Sequence, residues 1–109
     1  MLQVTVTVPS ESAGRTLDAG MRQAALEKVL AGLSGMFGGA TSTEGQGAWV
    51  NGAGTLVREN VTLASSFAED AAVNDKWQDV KALAGWLKDS LAQESVLVSV
   101  TKVERVEWL

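Results

Sequence analysis

Two long runs of alternating residues flank the dipeptide Asn51-Gly52, and this arrangement constrains the fold more than any other feature of the chain. Downstream, Val57, Glu59, Val61, Leu63, Ser65 and Phe67 share one parity, with Arg58, Asn60 and Thr62 on the other. Upstream, Thr41, Thr43, Gly45, Gly47 and Trp49 alternate with Ser42, Glu44, Gln46 and Ala48. A two-residue period marks β-strand, and Asn-Gly between two such runs marks a hairpin turn, here expected over Asn51 to Gly54. The glycine-rich stretch from Gly38 to Thr55 is therefore read as sheet rather than as a phosphate loop. It has no Lys-Ser/Thr after a spaced glycine pair and no Gly-x-Gly-x-x-Gly. Gly45 and Gly47 then mark a bulge, a bend or a close approach to the backbone. Each arm holds about a dozen residues, or roughly 40 Å when extended. Part of the hairpin should project beyond the sheet or curl over it.

The other periodicities complete the pattern. Leu2, Val4, Val6 and Val8 alternate with Gln3, Thr5 and Thr7 in a strand that Pro9 stops. A polar surface loop follows from Ser10 to Gly20, with Arg15 solvated and a helix cap at Thr16 or Asp18. From Met21 to about Met36 the period becomes helical. Leu26, Val29, Leu30, Leu33 and Phe37 form the stripe, and Gly35, Gly38 or Gly39 ends the helix. Glu69 to Asp75 reads as a polar connection with Asn74 or Asp75 capping a second helix. The stripe of that helix is Trp77, Val80, Leu83, Ala84, Leu87 and Leu91, with Trp86 well off it. Ser95 to Thr101 is a Val-rich final strand. The order β-α-β-β-α-β predicts one α+β domain over residues 1–109. Its expected architecture is a ferredoxin-like four-stranded antiparallel sheet with both helices on one face.

Composition excludes several chemistries. With no histidine and no cysteine among 109 residues, His- and Cys-based nucleophilic catalysis, zinc–sulfur sites and disulfides cannot occur. A net charge of −4 with scattered Lys and Arg argues against nucleic acid and anionic membranes as partners. The N-terminal residues show no basic region followed by an apolar run, so no export signal is read and the cytoplasm is the expected compartment. No cofactor and no metal site are expected.

Phe37-Gly38-Gly39-Ala40-Thr41, Glu44-Gly45-Gln46-Gly47-Ala48-Trp49, Arg58-Glu59 and Gln93-Glu94-Ser95-Val96-Leu97 resemble the pattern of a family of small bacterial proteins of unknown function, many of them exported. The correspondence runs from about Leu26 to Val98 and implies the same ferredoxin-like fold without an assigned activity. Where the family has a basic residue after the tryptophan, this chain has Val50.

Two sets of residues are candidates for function. Glu44, Trp49, Arg58 and Glu59 lie on the hairpin arms, where a ligand could be bound. Two carboxylates held in different environments could also serve as acid and base, so a small-molecule enzyme using Glu44 and Glu59 is the alternative reading. Gln93-Glu94-Ser95 is read as satisfying backbone groups at a helix end. Trp86, Val103, Val106 and Trp108 are apolar groups that a monomer has difficulty burying. The final strand of this topology lies at a sheet edge. These residues therefore predict a homodimer formed through the last strand and its C-terminal extension. The expected function is that of a non-enzymatic, self-associating domain with no catalytic residues, able to bind a small ligand or protein at the 40–67 hairpin.

Overall fold

Val4, Val6 and Val8 are fully buried, whereas the threonines between them are half-exposed. The alternation read from the sequence therefore orients the first strand, β1 (Leu2–Pro9). In the computed structural model, which describes residues 1–12 and 15–109, the chain continues through a short two-stranded ribbon, β2 (Glu11–Ser12) and β3 (Arg15–Thr16). That ribbon replaces the expected plain loop. Ala13 and Gly14, which the loop reading also covered, lie outside the described residues. Then come helix α1 (Ala19–Phe37), β4 (Thr41–Val50), β5 (Leu56–Ala68), helix α2 (Asp70–Ser90) and β6 (Val98–Lys102).

The large sheet has strand order β4-β5-β1-β6, with every neighbouring pair antiparallel. Both helices pack against its β1–β5 centre, so the fold is the ferredoxin-like α+β arrangement that the periodicities predict. Ala25, Val29 and Leu33 of α1 meet Val73, Val80, Leu83 and Leu87 of α2 over Val4, Val6, Val8, Ala64 and Ala68 of the sheet. The sheet floor under the helices is built from small residues on β5, Ala64, Ser66 and Ala68, which lets the helices approach closely.

Local signals explain the helix ends. The Asp18 carboxylate accepts the Met21 N–H at 3.0 Å and caps α1. Gly38 closes it at φ +92°, a conformation that costs glycine little, with its N–H on the Ser34 carbonyl at 2.8 Å. Helix α2 starts at Asp70, several residues before the expected Asn74 or Asp75. Ala71 and Ala72 favour helix, acidic Glu69 and Asp70 suit its positive end, and the Met1 ammonium lies 3.2 Å from Asp70. Val73 is consequently core rather than connection.

β6 begins at Val98 rather than at the expected Ser95, although the Leu97 carbonyl already accepts the Thr7 N–H of β1 at 3.0 Å, and Ala92 and Gln93 close the end of α2. Ala92 adopts φ +50°, and the Gln93 N–H reaches the Lys88 carbonyl at 2.9 Å. The Gln93 side chain donates to the Leu91 and Glu11 carbonyls at 3.0 and 2.7 Å. These bonds give Gln93 the backbone-satisfying role expected of it.

Candidate functional site: the open sheet face and the projecting hairpin

The β4–β5 ladder is continuous from Thr41↔Ser65 to Val50↔Leu56. Between the strands the Asn51 side chain accepts the Ala53 and Thr55 N–H groups, each at 3.0 Å, and Gly54 supplies φ +79°. The hairpin and its turn are where the sequence places them. Gly45 and Gly47, however, sit in unbroken register opposite Val61 and Glu59, so neither is a bulge. A methyl at Gly45 would meet Leu63 and Val61 at an ordinary 3.5 Å, so no tight backbone contact demands glycine there.

β1 pairs with β5 only from Val61 onward. The outer half of the hairpin, Gln46–Val50 against Leu56–Asn60, is therefore a two-stranded ribbon extending beyond the sheet. The molecule is correspondingly elongated, 44 × 26 × 26 Å. Near the ribbon tip Trp49, Val50 and Leu56 are exposed.

Side chains alternate across a strand, and cross-strand partners share a face. Thr62, Ala64, Ser66 and Ala68 point to the helices. Val57, Glu59, Val61, Leu63, Ser65 and Phe67 therefore point the other way, joined by Gln3, Thr5 and Thr7, by Thr41, Thr43 and Trp49, and by Ser99 and Thr101. Among the described residues no helix covers this second face. Among the described residues its only charged side chain is Glu59, and that carboxylate is turned inward. Its Oε1 accepts the Ser10 N–H at 2.8 Å and the Glu11 N–H at 3.0 Å. Glu59 thus ties the chain leaving β1 to the hairpin.

Glu44 pairs with Thr62 and accepts its hydroxyl at 3.4 Å, on the helix-side parity. Arg58 shares that parity and is exposed. The four ligand candidates therefore divide by face. Trp49 and Glu59 lie on the open face, Glu44 and Arg58 on the other, and the two carboxylates are not brought together. Among the described residues no group of three or more Asp or Glu could hold a metal ion.

The interface candidates are dispersed too. Trp86 is half-buried in the helix layer, with the Lys28 ammonium 4.2 Å from its ring centroid. It borders an apolar groove of about 250 Å³ between α1 and α2. β6 is an edge strand, as expected, but its extension is not a free overhang. The Val103 N–H donates to the Met1 carbonyl at 3.0 Å, and Val103 and Val106 are half-buried. Trp108, 73% exposed, reaches the loop after α1 and helps line a half-open groove of about 490 Å³ with Phe37–Thr41 and Ser65–Phe67.

The open-face residues Val61 and Leu63 were not singled out as functional, because alternation shows which residues share a face but not which face the helices take. The available signal was the run of small residues at Ala64, Ser66 and Ala68, which marks the side that a helix can approach.

The fold and its uncovered face define the class: a small ferredoxin-like α+β domain with one sheet surface unpartnered. Solved structures share this fold. A phage SAM lyase in complex with S-methyl-5'-thioadenosine matches with a TM-score of 0.65 at 18% identity, over 93% of this chain and 80% of that one. A point variant of CutA1 from Pyrococcus horikoshii OT3 matches with a TM-score of 0.57 at 14% identity, over 98% and 87% of the two chains. The periplasmic divalent cation tolerance protein CutA from Archaeoglobus fulgidus matches with a TM-score of 0.56 at 10% identity, over 98% and 88%. What these identities share with the chain is the fold. No protein-family model and no curated protein sequence matches it. Among the described residues no helix is long and apolar enough to cross a membrane.

Proposed function

We propose that this chain is a non-enzymatic, self-associating domain, a homodimer in which a second copy covers the open face of the sheet. The observation that carries this reading is the character of that face. It presents Val57, Val61, Leu63, Phe67 and Trp49 among threonines and serines, and its one carboxylate is already occupied by two backbone N–H groups. A solvated sheet face is ordinarily polar and charged. Depletion of charge with retained aliphatic and aromatic groups is instead the composition of an interface centre. The four-stranded part projects roughly 500 Å² and the ribbon adds roughly 150 Å². Together these approach the roughly 800 Å² per partner of a standard interface. Trp108 lies at the margin of this face, beside Thr41, Ser65 and Phe67, while Trp86 belongs to the opposite, helical side. The same face of the 40–67 hairpin is where another protein would dock in place of a second copy. A carboxylate enzyme gains no support, since Glu44 and Glu59 diverge and Glu59 is engaged structurally.

Sedimentation velocity and light scattering test the proposal. The 11.4 kDa chain should sediment at twice that mass. Leu63→Lys, at a half-buried position outside the core, should return it to a folded monomer. A wild-type chain that remains monomeric at about 100 μM refutes it, because a specific interface of this size binds well below that concentration.

A further inference from the structure

The groove between the loop after α1 and the C-terminal tail has a composition that selects a ligand class. Three aromatic side chains border it, Phe37, Phe67 and Trp108, and among the described residues no charged one is in its lining. Its volume of about 490 Å³ falls within the range of small-molecule sites. The polar groups are hydroxyls and backbone. Two of the hydroxyls are engaged: Ser66 donates to the Gly39 carbonyl at 2.7 Å, and Ser65 pairs with Thr5 at 2.8 Å. Among the described residues no hydrogen bond engages the Thr41 hydroxyl or the Gly39 and Ala40 N–H groups, which lie at the same opening. Gly39 also has open space where a side chain would stand, so nothing in the packing of the fold accounts for glycine there.

A charged ligand would find no counter-ion here, and a purely aliphatic one would leave the loop N–H groups unpaired. A flat ring with acceptor nitrogens at its edge satisfies both conditions, since it can stack on aromatic walls and accept from the loop. We infer that this groove binds an uncharged planar heteroaromatic group of the purine nucleoside class. Trp108 is the stacking wall, and the Gly39–Thr41 segment supplies the hydrogen bonds. Thr41, Ser65 and Phe67 of its lining belong to the sheet face that a second copy would cover, so the groove is fully open in a monomer, and the Leu63→Lys chain is the form in which binding is read.

The test is a titration of adenosine into the full chain and into Leu63→Lys, followed through the amide resonances of Gly39 and Ala40 and the indole resonance of Trp108. Saturable shifts should appear in Leu63→Lys with a dissociation constant on the order of 100 μM, and no more tightly in the full chain. Trp108→Ala, at an exposed position, should weaken binding about tenfold without loss of fold. Adenosine monophosphate should bind no more tightly than adenosine. Absence of saturation by about 5 mM would overturn the inference, as would equal affinity in Trp108→Ala. Tighter binding of the monophosphate would reveal a charged subsite and overturn it too. Equal binding of N-acetyltryptophanamide would mean a cleft for peptide aromatic groups and overturn it likewise.

Discussion

Glu59 was a ligand candidate by sequence, and the structure gives it a different and measurable task. Its Oε1 receives the N–H groups of Ser10 and Glu11 at 2.8 and 3.0 Å, fastening the exit of β1 to β5. Ser10 is 6% exposed, so its N–H rehydrates poorly when the carboxylate is removed, whereas that of the half-exposed Glu11 can turn to water. A hydrogen bond to a charged acceptor contributes about 1.5–3 kcal/mol, and an orphaned buried donor costs about 1–3 kcal/mol. Because one oxygen serves both donors, the two contributions do not simply add. Glu59→Ala should therefore cost about 2–3 kcal/mol. Glu59→Gln, which keeps an uncharged oxygen in place, should cost about 1 kcal/mol. In urea, with a slope of about 1.5 kcal/mol/M, the Ala variant should lose between about 1.3 and 2 M of midpoint, with Gln in between. Protein concentration must be held fixed, because self-association would itself stabilise the fold. If both variants unfold within about 0.3 M of wild type, Glu59 is not a structural tie and the reasoning fails.

Three further outcomes follow from particular residues. Gly45→Ala and Gly47→Ala place a methyl at 3.5 and 3.9 Å from its nearest neighbours, on backbone without positive φ, so each should stabilise by about 0.5 kcal/mol. A drop in thermal midpoint for either would mean that the strand register is interrupted there. Ala92→Gly relieves a φ of +50° and should stabilise by about 0.5 kcal/mol, net of the added freedom of the unfolded chain; calorimetry would show the midpoint rising. Ending the chain after Val103 keeps the bond to the Met1 carbonyl but removes half-buried Val106 and exposed Trp108. It should cost about 1–2 kcal/mol while leaving the sedimenting mass that of a dimer. A monomer would instead assign association to the tail.

The four-stranded sheet and its two helices were legible because each of these elements has its own period, whereas the two-residue strands β2 and β3 are too short to show one. The Val4-Val6-Val8 alternation, the Val29–Leu33 spacing and the Asn51-Gly52 turn each agree with the final topology, as local and global preferences do in chains that fold to one state. Boundaries were less legible where two readings of the same residues compete. Glu69 and Asp70 look like a polar connection, yet acidic residues are also what the first turn of a helix favours, and the helix takes them. Gly45 and Gly47 look like an irregularity, yet the ladder runs through both, with the Val61 and Leu63 side chains lying beside Gly45 and the Glu59 backbone beside Gly47.

The candidate site was harder to read, and the reason lies in β5. Its two parities are Val57, Val61, Leu63 and Phe67 on one side, and Thr62, Ala64, Ser66 and Ala68 on the other. Hydrophobicity alone would send the first set inward. The helices choose the second, because a helix axis can come close to a sheet only over small side chains, and Ala64 and Ser66 allow it. The larger apolar residues are thereby displaced to the outer face, where within one chain they remain at best half-covered. That displacement costs burial which a lone domain does not recover, since each fully buried aliphatic side chain contributes about 1.5–3 kcal/mol. A second surface laid on Val61, Leu63 and Phe67 recovers it. The one carboxylate of that face, Glu59, is already held by the Ser10 and Glu11 N–H groups, and among the described residues the face carries no second charged side chain to oppose the contact. The same choice of parity that closes the core is thus what leaves a surface suited to association.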